Sequence, residues 1–311
     1  MKLLLSIACL SVIVSAESSA AGQEIITVAG TGKPDYSGDG GLASKAGLNN
    51  PFGVEVGPDG SLYVCDMSNH VIRRVDQDTG IITTIAGTGG VRGYTGDGGP
   101  ADRAQMNEPY EIRFDAQGNL FVVEMMNHIV RRIDAATGVI STVAGSGKKG
   151  FGGDDGPAVM AQLNRPHSIV LDAAGDLFIC DIGNHRIRRV DLKTAMISTW
   201  CGTGEADGPH DGAAISNRTP LKGPRALTID PRNDLWLALR EGNQVVHFDR
   251  QAGVIRHVAG TGAKGFSGNG GPAAQATLSG PKGIVFDEQR QLVWLADTES
   301  HTLRAVDLST S

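Results

Sequence analysis

Long apolar runs, cysteines and aromatic rings are all scarce in this sequence, and each scarcity removes a class of protein. Beyond one apolar stretch at Leu3–Val14, no segment approaches the roughly 18 apolar residues that a membrane-crossing helix needs. No membrane span is expected. Four cysteines in 311 residues, widely separated, do not make a disulfide framework. Basic residues are in the minority, 28 Lys+Arg against 34 Asp+Glu, and a net charge of −6 offers no general attraction to a phosphate backbone. Nucleic acid is therefore not an expected partner. Aromatics make up only 5%, whereas glycine occurs 43 times, spread along the chain between short apolar runs. That composition signals many turns rather than disorder.

The N-terminus has the pattern of a secretory leader. Lys2 supplies the charge, Leu3–Val14 the apolar core, and Ser18, Ser19 and Ala20 a small-residue cleavage site, with a cut after Ala16 as the alternative. Residues 1–20 are expected to be a signal peptide and residues 21–311 a single domain, secreted or periplasmic. Cys9 would leave with the leader. Cys65 and Cys180 occupy one repeat position and Cys201 replaces a repeat alanine, so all three are expected to be buried, unpaired thiols. Equivalent positions in non-adjacent repeats lie too far apart to bridge.

Internal repetition organises the rest. Gly30, Gly87, Gly145, Gly202 and Gly260 recur at intervals of 57 or 58 residues, each followed by a glycine-rich stretch and then a proline, at 51, 109, 166, 224 and 281. After each proline come four short strand candidates. In the first unit they are Phe52–Gly57, Ser61–Cys65, Val71–Asp76 and Ile81–Ala86; in the third, His167–Asp172, Asp176–Cys180, Arg186–Asp191 and Met196–Cys201. Turn residues such as Pro58, Asp59 and Gly60 separate them. Four antiparallel strands per unit, five units in line, predict an all-β five-bladed propeller. The ends predict how it closes. Residues 24–30 (EIITVAG) match the fourth strand and its glycine at 80–87 (GIITTIAG), while 303–307 (LRAVD) match a third strand with no fourth after it. The N-terminal strand is expected to complete the last blade.

The third strands carry NHVIRR at 69–74, NHIVRR at 127–132 and NHRIRR at 184–189. In these motifs the chain resembles the NHL-repeat family, and the likeness extends over the whole mature chain. The resemblance implies the propeller architecture. It leaves function open, because members include protein- and RNA-binding modules, sensor domains and a few enzymes.

Residues repeated in every unit read as structural. His70, His128, His185 and His301 would be too widely spaced to share one ion. Asp66, Asp181 and Asp297, with Glu124 in the same place, are expected to hold the Asn-His turn, and Asp39, Asp97 and Asp154 to brace the glycine loops. Units that break the pattern are more informative. After the prolines stand Phe52, Tyr110, His167, Arg225 and Lys282; the next position is small except at Glu111; two residues further on, Glu55 and Arg113 replace small or apolar residues; and unit four has Leu239 and Arg240 where the acid should be. The fold should bring Tyr110, Glu111, Glu124, His167, Arg225, Arg240 and Lys282 to one funnel mouth. A ring of groups satisfying one another, and so plugging the channel, is one outcome. If the funnel is open, it is expected to make this a monomeric ligand-binding or interaction scaffold for a small molecule, glycan or exported protein. The alternative is a lyase or hydrolase for an anionic sugar, lactone or other small molecule. There Tyr110 and His167 would be acid and base, Glu111 would tune His167, and Arg225, Lys282 and Arg240 would hold the anion. Ligation of a divalent ion by His167, Glu111 and Glu124 has no motif behind it. No metal site is assigned, and no cofactor is implied.

Overall fold

The computed structural model describes residues 25–309; the expected leader, 1–20, lies outside them. Five antiparallel sheets make up the five blades. Blade 1 is β1 (Pro51–Val56), β2 (Leu62–Asp66), β3 (Val71–Val75) and β4 (Ile82–Ala86). Blade 2 is β5 (Pro109–Phe114), β6 (Leu120–Glu124), β7 (Ile129–Ile133) and β8 (Ile140–Ala144). A two-residue strand, β9 (Gly156–Pro157), edges blade 3, which is β10 (Ile169–Leu171), β11 (Asp176–Asp181), β12 (Arg186–Asp191) and β13 (Met196–Cys201). Blade 4 is β14 (Pro224–Ile229), β15 (Leu235–Leu239), β16 (Gln244–Asp249) and β17 (Val254–Ala259). Blade 5 has three strands, β18 (Pro281–Asp287), β19 (Leu292–Asp297) and β20 (Thr302–Asp307). Apart from β9, which pairs with β13, the order of strands in each sheet is their order in the chain, as short hairpin turns require.

Most apolar side chains are buried between blades, because a single sheet has little other surface to bury against; one small cluster, with Ala46, Val75 and Ile82, lies between blade 1 and its own loop. One cluster joins Ile72 and Ile112 across blades 1 and 2, another Phe121 and Ile179 across blades 2 and 3. A third joins Phe178 and Leu237, and a fourth Trp236 and Leu295. Cys65, Cys180 and Cys201 are buried and unpaired within these layers, and burial pushes the Cys201 thiol up to about 12.

Each blade is fastened to the next through the Asn-His motif. His70, His128 and His185 sit in left-handed backbone conformation, and their Nδ1 atoms accept the N–H groups of Glu108, Arg165 and Gly223 at 3.1–3.2 Å. In blade 4 Asn243 takes the same conformation, and its Oδ1 accepts from Gly280 N–H at 3.0 Å. The histidines are thus spent on blade-to-blade links.

Inside blades 1 to 3 a buried guanidinium ties sheet to loop. Arg131 contacts Glu124 at 3.2 Å and Asp97 at 2.6 Å, donates to the carbonyls of Gln105 and Thr95, and lies over the Tyr94 ring. Arg73 does likewise with Asp66, Asp39 and Tyr36, and Arg188 with Asp181, Asp154 and Phe151. The acids also accept the Asn side chain of the motif, Asn69 on Asp66 and Asn127 on Glu124. In blade 4 both charges are gone together, Leu239 and Val246 standing at the two positions. Removing a buried pair whole avoids stranding either charge.

The predicted closure is not formed. Residues 25–30 lie outside any strand, Ile25 is 98% exposed, and Leu303 on β20 is 83% exposed. Inner strands β1, β5, β10, β14 and β18 pack on one another in sequence, but β18 is not packed on β1 in that way. Among the described residues no bond from His301 reaches the backbone of Asn50, as its counterparts reach theirs. With blade 5 not brought against blade 1, the segment entering Gly30 has no sheet edge beside it. The propeller has an open seam.

Candidate functional site

The residue before each proline, Asn50, Glu108, Arg165, Gly223 or Gly280, takes a left-handed conformation. In blades 1, 2, 4 and 5 the first strand then carries a β-bulge at the proline, between Pro51 and Val54, Pro109 and Glu111, Pro224 and Ala226, or Pro281 and Gly283. A bulge releases one side chain from the alternation of the pleat. The released residues are Phe52, Tyr110, Arg225 and Lys282, and with His167 they all line a cavity of about 550 Å³. Arg165, Ile182, Gly183, His185, Arg240 and Glu241 complete its wall, so all five blades contribute. Five of the seven expected funnel residues meet there.

Tyr110 is the centre of the cluster. Its ring packs against Phe52 at 4.1 Å and edge-on to His167 at 4.7 Å. Arg225 Nη2 donates to Tyr110 Oη, and the guanidinium carbon lies 4.8 Å from the ring centroid. Arg225 is buried, yet no carboxylate pairs with it among the described residues. Among the described residues Arg165 and Lys282 also lack a carboxylate partner within 4 Å. Arg240 differs, contacting Glu241 at 2.7 Å and Glu299 at 3.1 Å. A buried cation without a counter-ion is costly unless something else supplies the negative charge.

The His167 imidazole Nδ1 lies 2.7 Å from the carbonyl oxygen of Arg165. A carbonyl only accepts, so Nδ1 carries the hydrogen and Nε2 the lone pair. Burial, reinforced by Arg225, lowers the His167 pKa to about 3. Burial raises the Tyr110 pKa despite the opposing pull of Arg225. At neutral pH the ring is uncharged and the phenol protonated.

Two expected members are absent from the cavity wall. Glu111 faces blade 3, where its Oε1 accepts from Ser168 Oγ at 2.9 Å and Ile169 N–H at 3.3 Å, and it pairs with Arg113 at 3.0 Å. It does not touch His167, so the tuning role falls. Its length suits a strut between inner strands, at a position where a Cβ on Gly53 would already meet the Tyr110 carbonyl. Arg113 reaches Glu55 as well, at 3.3 Å, so the charges below the mouth satisfy one another. Glu124 is fully buried in the Arg131 network. Burial raises its pKa to about 7.

Comparison with known proteins agrees with this construction. A model of the teneurin NHL domain matches residues 13–95, and a model of the NHL repeat matches residues 163–190. The chain thus carries NHL-repeat sequence on a five-bladed β-propeller. It is 28% identical to NHL repeat-containing protein 2 of Gallus gallus over 93% of its length, and 26% identical to the Bos taurus protein over 90%. It spans 42% of the length of each. Among solved structures, it is similar to a chain in the nidogen/laminin complex, with a TM-score of 0.56, 15% identity and coverage of 83% of this chain and 76% of that one. Virginiamycin B lyase from Staphylococcus aureus gives a TM-score of 0.51 at 16% identity, covering 84% of this chain and 68% of that one. At such identities the likeness concerns the fold.

In this propeller the funnel residues that the sequence reading did not place there are Arg165, Ile182, Gly183, His185 and Glu241. Arg165 had a signal: it is a long cationic residue at a left-handed position that glycine fills in blades 4 and 5. Glu241 had none, because its place at the mouth depends on the β15–β16 turn folding toward Arg240. Among the described residues one further cluster could offer three ligand atoms to an ion, Asp230, Asp234 and His247. Those groups are already used: Trp236 Nε1 donates to Asp230 at 3.2 Å, and His247 Nε2 lies 3.2 Å from Asp234.

Proposed function

We propose that this chain is a binding propeller whose funnel holds a small anionic ligand, a carboxylate or a sugar acid, between Arg165, Arg225 and Lys282. The observation that carries this reading is the buried Arg225 guanidinium, supported by Tyr110 and paired with no carboxylate among the described residues. Charge-assisted bonds from a guanidinium and an ammonium would orient a carboxylate, while Phe52 and the Tyr110 ring would cover its apolar part. The leader-like residues 1–20 support a ligand met outside the cytoplasm.

The same geometry weighs against elimination or hydrolysis by Tyr110 and His167. An acid–base pair works best when its members titrate near the working pH. Here His167 sits at about 3 and the phenol is shifted upward. The test is calorimetry with a panel of neutral sugars and their carboxylated counterparts. Carboxylated members should bind, more weakly as salt rises, and Arg225→Met should abolish the heat while the protein stays folded. Equal binding of the neutral members, or binding unaffected by Arg225→Met, would sink the anion reading.

A further inference from the structure

In blades 1 to 4 the fourth strand bonds on two sides, to the third strand and to the blade's own glycine loop. Ile82 C=O accepts from Gly40 N–H and Ile82 N–H donates to Gly41 C=O; Gly80 C=O accepts from Ala43 N–H. Ile140 repeats this with Gly98 and Gly99, and Ile255 with Gly212 and Ala213. In blade 5 the loop is present, but among the described residues Gly270 N–H, Gly271 C=O and Ala273 N–H have no strand to bond. Between that loop and the outer side of β20 at Leu303–Ala305 runs a groove of about 1160 Å³, walled by Gly270, Gly271 and Ala273 on one side and Leu303, Arg304 and Ala305 on the other. Among the described residues, neither wall's backbone pairs with a strand at the place a fourth strand would lie. Exposed edges of this kind recruit strands.

The chain also carries the matching strand without a partner. Residues 25–30 (IITVAG) repeat the fourth-strand pattern of 81–87 and lie exposed. Gly30 is already held as its counterparts are, its N–H on Ala43 C=O at 2.9 Å where Gly87 bonds Ala101 at 2.9 Å. The two faces at the seam are apolar as well. Phe52, Val54 and Val56 are exposed on blade 1, and Val285, Trp294 and Leu303 on blade 5. Each resembles the half of an inter-blade layer that its neighbours bury.

We infer that the groove beside β20 binds residues 25–29 of a second copy of this chain, adding them as the fourth strand of blade 5. A second copy is favoured because these residues supply the required sequence, while in their own chain they lie exposed and outside any sheet. The blade register then pairs Ile26 with Ala305 and Ile25 with Val306, as Thr83 pairs with Arg74 and Ile82 with Val75 in blade 1. Such a contact joins two different surfaces, so it extends head to tail unless the strands are exchanged reciprocally.

Two variants test it, Ile26→Cys and Ala305→Cys, each made separately in the otherwise native chain, whose described cysteines are buried. Mixed and oxidised, they should form a disulfide-linked species of twice the chain mass. Light scattering of the unmodified protein should show the mass rising with concentration. Ile26→Pro, which removes a ladder N–H from a largely exposed residue, should weaken association at least tenfold and leave the melting temperature unchanged. A strictly monomeric protein at all concentrations would overturn the inference. So would a doubly substituted chain that forms its disulfide within a monomer, since the strand would then serve its own blade. Neither outcome depends on the funnel.

Discussion

Arg73, Arg131 and Arg188 in blades 1 to 3 are fully buried, and Arg225 at the funnel is 5% exposed, yet their surroundings are opposite. Each of the first three meets an acid from its own sheet, an acid from its loop, loop carbonyls and an aromatic ring. Arg225 meets a phenol and its ring. Burial by itself therefore does not tell a structural cation from a binding one. The distinction is whether the chain supplies the counter-charge.

The sharpest way to break that comparison is to remove one arginine of each kind. Arg131→Ala leaves Glu124 buried and unpaired, and should cost about 3–5 kcal/mol in urea unfolding. Arg225→Met strands no acid and should leave unfolding within about 1 kcal/mol of the parent. Equal losses would mean that Arg225 is structural too. Blade 4 supplies the control: Glu124→Leu with Arg131→Val copies Leu239 and Val246, and should recover most of the Arg131→Ala loss.

Next in size is a pH effect. The His167 pKa falls to about 3 in the folded protein, below its ordinary 6.5. The unfolded chain therefore takes up the proton first. His167 contributes its full stability above pH 6.5 and loses it as pH falls toward 3. Between pH 6.5 and 5 that loss is about 2 kcal/mol. It should appear as the difference between the parent and His167→Asn; parallel pH profiles would show that the ring is not shielded.

The smallest effect concerns the blade links. His128→Ala strands the Arg165 N–H and should cost about 1–2 kcal/mol, whereas His128→Asn, as at Asn243 in blade 4, should cost under about 1 kcal/mol. Arg165 also lines the funnel, so His128→Ala should weaken ligand binding as well, which the Asn variant should not.

Much of this was legible in the residues, for a simple reason. A repeat of 57 or 58 residues shows each position five times, and positions that recur with the backbone pattern are held by that pattern. The strands, the buried thiols, the bracing acids and the structural histidines could all be read that way, and departures such as Tyr110, His167, Arg225 and Lys282 stood out against it. Glu111 stood out equally and misled. Whether it turns toward His167 or toward Ser168 depends on which face of β5 it leaves from, and the bulge at Pro109 shifts that by one residue. Glu124 was read twice, as a turn holder and as a funnel residue, and only the first role survives.

Local pattern by itself determined the blade: strand lengths, turns, links and the side chains offered after each proline, all set by interactions within some 60 residues. The tertiary structure decided what the repeat cannot encode, the angle accumulated over five blades. That angle is a sum of small packing choices between sheets, and it determines whether the last blade meets the first. Here it leaves the seam open. It also decides which charges find partners across the axis, and so leaves Arg225 with a phenol instead of a carboxylate.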